Sequence, residues 1–350
     1  IYNMAYTTIN KHTDYFNTLL RTGNYASSGT TAITGVGFAP GLMWEKKRNG
    51  TSIHAWLDQV RGNTKQIRSE TDLAETTTSQ YASLDSDGFT VNNSADYDSS
   101  SNLVSWHWKA NGQGSANNDG SINTTYTSAN TTAGFSIVKW TGTGSAGTLG
   151  HGLGVAPKVV IVKNTINAYN WCVYHESNGN TKALYLNSNT TGATSSTFFN
   201  NTSPTNSVFS VGSDLAVNKS GSAIIAYCFA EKTGYSKIGK YSGNGNANGP
   251  FVYTGFKPSL IIIKDKDNSG ENWFIFDNKR PGYNLNANHL NPNSDTTETN
   301  SSANTMDILS NGFKMRATNN GINRSGGDGF TYIAIGQSLV GSNNVPCTAR

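Results

Sequence analysis

Charge is scarce in this chain: only 14% of its residues are Asp, Glu, Lys or Arg, against about 25% in an ordinary globular protein. The formal net charge is +4, and the basic residues are scattered. Lys46, Lys47 and Arg48 form the one tight run, and Glu45 precedes it. A nucleic-acid face wants a continuous basic stripe, so nucleic acid is not an expected partner. Cysteine is also scarce. Three thiols, Cys172, Cys228 and Cys347, cannot build a disulfide framework. Cys172 and Cys228 are expected as a pair of buried free thiols. No stretch approaches the ~20 apolar residues of a membrane span, and residues 1–20 have no apolar core of the signal-peptide kind. A protein that stays in the cytoplasm until it is assembled or released fits these absences.

The residues that are abundant point to strands. Glycine numbers 37, with 16 Tyr, 14 Phe and 7 Trp among runs of Ser, Thr and Asn. Long helices want Ala, Leu, Glu and Lys; β-branched and aromatic residues between Gly and Asn turns favour strands. Only Thr64 to Glu75 reads as a short helix, with Ile67 and Leu73 as weak anchors.

One pattern occurs three times. Phe16, Phe135 and Tyr235 each open a short strand that reaches a Gly after 7, 7 and 8 residues. A Gly-x-x-Pro step follows, ending at Pro40, Pro157 and Pro258, each 17, 15 and 15 residues beyond that Gly. Each Pro leads into an apolar strand that ends near Lys46, Lys163 or Lys264. Proline at a strand start costs no ladder bond. A second strand then reads His54 to Asp58, Trp171 to His175 and Trp273 to Asp277, and Trp56 is out of register with Trp171 and Trp273. A hairpin closes each copy: Phe89, Phe209 or Phe313 on its first strand, and Val104 to Trp108, Ile225 to Phe229 or Ile333 to Gln337 on its second. Period-2 alternation places Val104, Trp106 and Trp108 on one face and Ser105, His107 and Lys109 on the other. The aromatic face is the expected core.

The expected architecture is therefore all-β, with three tandem divergent repeats, each an antiparallel β-sandwich of the jelly-roll or lectin-like kind. The boundaries are an N-terminal segment 1–14, repeats at 15–110, 134–232 and 233–340, a linker at 111–133 and a C-terminal tail at 341–350. Three sandwiches in series are preferred to a shared-sheet arrangement.

Chemistry is harder to find. Gly142 to Gly147 matches G-x-G-x-x-G, but the nucleotide reading needs a following helix, and here the chain runs on to Pro157. It reads as an interstrand turn, like Gly243 to Gly249. Asp85-Ser86-Asp87-Gly88 and Asp265 to Gly270 resemble the start of calcium loops but lack the Glu at the twelfth position. Asp58 and Asp277 hold matching positions in the first and third copies, with His175 in that slot in the second, which suits a structural role better than a catalytic dyad. No catalytic residue, cofactor or metal ligand is assigned. Trp44 and Trp140 are the best candidates for aromatics that contact a sugar.

The opening Met4-Ala5-Tyr6-Thr7-Thr8-Ile9-Asn10-Lys11, the Gly37-Phe38-Ala39-Pro40 step, the Trp56 to Gly62 segment, Asp85 to Val91, Trp106-His107-Trp108-Lys109 and the ending Pro346-Cys347-Thr348-Ala349-Arg350 resemble a family of proteins encoded by marine tailed phages. The likeness covers essentially the whole chain, and Met4 looks like the usual start. It implies a virion or tail-fibre-like protein with no catalytic residues to carry over. The expectation is a non-enzymatic virion surface protein: a fibre, tail appendage or capsid decoration, assembled in the host cytoplasm. Its expected partners are other virion proteins, copies of itself (a trimer as the first guess) and a host surface glycan. A carbohydrate-binding adhesin module and a polysaccharide depolymerase are the alternatives.

Overall fold

The computed structural model describes residues 6–326 and 329–340. It is almost entirely β, built from antiparallel sheets. Three large sheets share one strand order. In the first, the opening strand Phe16–Thr22 pairs the closing strand Asn102–Trp108, which pairs the post-proline strand Leu42–Lys47, which pairs His54–Asp58. The second runs Phe135–Thr141, Ala223–Phe229, Val159–Asn164, Cys172–His175. The third runs Ser236–Tyr241, Phe330–Ser338, Phe256–Asp265, Trp273–Asp277. The registers match as well: Leu42 sits opposite Trp108 and Asp58, Val159 opposite Phe229 and His175, Leu260 opposite Ile335 and Asp277. Each of these three residues follows its proline by two positions, and Pro258 lies at the register shift that precedes Leu260. A shift of this kind tolerates a residue with no N–H. In the third sheet Ser236 stands opposite Ile335, where Phe16 stands opposite Trp108. The longer aromatic-to-Gly spacing therefore leaves the buried Tyr235 one residue ahead of its strand.

Each large sheet carries a smaller one. Thr30–Thr34, Gly88–Asn92 and Tyr81–Asp85 form the first, Gly147–Gly150 and Val208–Val211 the second, and Phe251–Tyr253, Gly312–Met315 and Met306–Leu309 the third. Between each large and small sheet lies an outer core, for example Met43, Leu57, Tyr81 and Phe89 in the first and Trp140, Leu149 and Phe209 in the second. The inner faces of the large sheets close on one another. Trp44, Trp56, Trp106 and Trp108 join Ile161, Trp171, Tyr227 and Phe229, and Leu260, Trp273, Ile333 and Ile335, in a single central core. Trp56 packs on Trp171 and Tyr227, both at 5.1 Å. The arrangement is thus three layered pairs around a shared centre rather than sandwiches strung in series.

The expected aromatic core is buried: Trp106, Trp108, Tyr227, Phe229 and Ile335 are all enclosed. The opposite face of the first closing strand is enclosed too. Ser105 and His107 lie under the small sheet, and the His107 ring stacks on Phe89 at 5.7 Å. Two expectations are corrected. Thr64 to Glu75 is not a helix; Lys65–Arg68 is a strand on the edge of His54–Asp58, and Ile67 enters the central core. Residues 111–133 are not a free linker, since Tyr126–Asn130 pairs the opening strand Phe135–Thr141 and Ile122 enters the second outer core. Cys172 and Cys228 are buried free thiols; Cys347 lies outside the described residues.

Candidate functional site

Buried ionisable groups line the seams where one large sheet meets the next. Asp58 ends its strand fully buried. It accepts from the Arg61 backbone N–H at 2.8 Å and from Arg61 Nε at 2.6 Å. Arg61 also donates to Glu75 and to the Trp56 carbonyl, both at 3.1 Å. Tyr227, from the second sheet, donates its hydroxyl to Asp58 Oδ2 at 2.7 Å. Burial alone would lower the guanidinium pKa of Arg61; Asp58, Tyr227 and Glu75 outweigh it and raise it, so Arg61 stays charged.

The same device closes the third sheet on the first. Asp277 accepts from Arg280 N at 2.9 Å and Arg280 Nε at 2.6 Å, and Arg280 donates to Glu298 at 3.1 Å and to the Ile275 carbonyl at 2.7 Å. Trp106, from the first sheet, donates its indole N–H to Asp277 at 3.1 Å, and the Arg280 guanidinium lies over its ring. Arg48 clasps Glu298 with two bonds of 2.9 Å. At the third seam His175 takes the carboxylate's place. Its Nε2 donates to the Tyr332 carbonyl at 3.3 Å, and its Nδ1 accepts from Ser177 N–H. Burial lowers the His175 pKa to about 4, so the ring is neutral there.

At the other end of the same strands each seam is latched by a ring N–H. Trp171 donates to the carbonyls of Arg68 and Thr71, and Trp273 to that of Tyr185. His54 holds the matching place in the first sheet, four residues before Asp58. Its Nε2 donates to the Ser294 carbonyl at 3.1 Å while its Nδ1 accepts from Trp44 Nε1 at 2.9 Å. Burial pushes His54 down to about 3. Lys163 and Lys264 donate to backbone carbonyls on both sides of their seams, Asp72 and Tyr169 for one, Asn189 and Glu271 for the other. Lys46, at the same register, donates to the Lys47 carbonyl. Burial lowers all three lysines to about 8.

The residues singled out from the sequence fall into this framework. Asp58, Asp277 and His175 occupy three separate seams. Trp44 and Trp140 are both buried: Trp44 is in the central core and Trp140 packs on Phe209 in the second outer core. Neither offers a face to a sugar. The Gly142 to Gly147 turn is tied by Asn218, whose side chain accepts from Thr143 N–H and donates to the carbonyls of Ser145 and Gly212. Asn323 does the same for Asn244 and Asn246. Asp87 accepts from the backbone N–H groups of Gly35 and Gly37, and Asp265 pairs Arg324 at 3.0 Å. No group of three metal-ligating side chains occurs among the described residues. Arg61, Arg280, Glu75 and Glu298 were not singled out, although the recurring Asp-x-x-Arg of Asp58 to Arg61 and Asp277 to Arg280 was a visible signal.

The surface offers shallow clefts. One of about 380 Å³ is bordered by Tyr6, Tyr253, Glu231 and Lys237. Tyr6 and Tyr253 are both exposed, and the Tyr6 hydroxyl donates to the Gly255 carbonyl at 3.0 Å. A wider one of about 620 Å³ lies along the first opening strand, between Leu20, Thr22, Thr31 and Ile33. Among the described residues no helix is long and apolar enough to cross a membrane.

The chain belongs to the family described as a domain of unknown function, DUF7483, whose model matches residues 11–338. No curated protein and no solved structure matches it.

Proposed function

We propose that this chain is a non-enzymatic building block of a tailed-phage particle: a fibre, tail appendage or capsid decoration on the virion surface, assembled in the host cytoplasm. One observation carries the non-enzymatic part. The acid, guanidinium and ring N–H groups of the seams are each buried and held by a named partner. What faces solvent is mainly Ser, Thr, Asn and Gly on turns, a surface suited to packing and loop presentation. The phage setting rests on the resemblance of the motifs quoted above. Partners in this reading are other virion proteins and further copies of the chain, with a trimer as the working assembly, and a host surface glycan at the loops. Cryo-electron microscopy of intact particles is the test. Density for this fold at symmetric positions on the particle supports the reading. A chain absent from particles, or one that releases reducing sugar from host polysaccharide, overturns it.

A second reading, a carbohydrate-binding adhesin module, draws on the Tyr6–Tyr253 cleft, since exposed aromatic faces beside Glu231 and Lys237 suit a sugar ring and its hydroxyls. Saturable glycan binding that Tyr253→Ala abolishes, by a chain not found on particles, would favour it.

A further inference from the structure

The second layered pair contains a segment, residues 111–130, that has no counterpart on the first pair among the described residues. Residues 111–130 run across both edges of the second pair. Thr125 N–H donates to the Lys139 carbonyl at 2.7 Å, and Ile122 N–H donates to the Thr148 carbonyl at 2.9 Å. Ser121 and Thr148 exchange two further bonds of 2.9 Å between backbone and hydroxyl. Tyr126–Asn130 adds a strand to the opening strand, and the Ile122 side chain closes the outer core over Leu149.

Among the described residues nothing pairs the corresponding edges of the first pair. Phe16–Thr22 and Thr30–Thr34 are both edge strands. Leu20 and Lys139 each stand four residues into their opening strands, and Ala32 and Thr148 each precede the residue that pairs Phe89 or Phe209. Their backbone directions agree. Gly23 N–H bonds the Ser101 carbonyl and Lys109 N–H bonds that of Tyr15, so by antiparallel alternation the Leu20 carbonyl turns away from the closing strand. Asn93 N–H bonds the Gly29 carbonyl, so the Ala32 carbonyl likewise turns outward. The two acceptors used in the second pair are thus presented in the first, beside the cleft of about 620 Å³ with Leu20 and Ile33 on its walls.

We infer that this cleft is a strand-addition site for an extended Ser/Thr/Asn-rich segment of another particle protein, bearing an aliphatic side chain where Ile122 sits. The chain's own residues 111–130 show the mode of binding: main-chain bonds give affinity and one apolar side chain sets register. The inference rests on the reading of the chain as an assembly component. A chain found on particles whose cleft binds nothing would refute the inference alone.

The test uses the full chain and a synthetic peptide of residues 114–130 as probe, with amide hydrogen exchange as readout. The expected result is saturable binding that slows exchange at Leu20, Thr22, Ala32 and Thr34 at least tenfold. Ala32→Pro, which removes an outward N–H from an edge strand where proline is tolerated, is expected to abolish the protection while leaving the melting temperature unchanged; Leu20→Pro serves as a second variant. Unslowed exchange at saturating peptide, or equal protection in both proline variants, overturns the site. A chain that dimerises without peptide and already protects these amides overturns the choice of a different protein and assigns the cleft to a second copy.

Discussion

Single residues at the seams carry disproportionate weight. Arg61→Ala leaves Asp58 buried with no cation, and loss of one partner of a buried pair costs about 3–5 kcal/mol. Arg280→Ala is expected to cost as much at its own seam, measured by guanidinium denaturation. The histidines set a pH limit. His54 and His107 are lowered to about 3 and His175 and His289 to about 4, all by burial, from an ordinary 6.5. Between those values and 6.5 the unfolded chain binds protons that the folded chain refuses, so stability rises with pH there and falls on acidification. Denaturation midpoints should decline steadily from pH 6.5 towards pH 4. The three lysines lowered to about 8 act in the same direction from pH 8 upward, until the raised pKa of buried Tyr227 and Tyr81 reverses the trend above about 10. At this scale the sequence was half legible. The alignment put His54 in the tryptophan slot, but nothing local showed that its ring N–H would perform the same task as the indoles of Trp171 and Trp273.

At the scale of elements the closing strands were read best, because alternation of large apolar residues with smaller ones leaves one register. The same alternation does not show that the polar face is buried as well. Ser105 and His107 look solvent-facing by residue type, and only the return of Phe89 above them makes a second core. The strand Lys65–Arg68 was missed for a related reason. Four residues with one apolar anchor carry too little periodicity to separate strand from helix. The glycine turns make a separate prediction. Asn323 is buried and its amide holds the Asn246 and Ala317 carbonyls. Asn323→Ala is expected to destabilise by about 1–3 kcal/mol through the groups left unpaired. Asn218→Ala should behave alike, with faster amide exchange confined to residues 142–147.

The whole molecule was the least legible scale. Contacts between large sheets join residues far apart in the chain, such as Trp56 with Trp171 and Trp106 with Asp277, and no local pattern announces them. A reader of three similar segments naturally places them in series. The central core and its seams argue instead that the segments depend on one another. Trp171 needs the Arg68 carbonyl, Trp273 that of Tyr185, and His54 that of Ser294, so the dependence runs around the ring of three. The most direct measurement is equilibrium unfolding in guanidinium, followed by tryptophan fluorescence for the core and far-ultraviolet circular dichroism for the sheets. The shared core requires the two signals to coincide in one cooperative transition, and Arg61→Ala to move that whole transition to lower denaturant. Two or three separated transitions, with Arg61→Ala shifting only one of them, would contradict it.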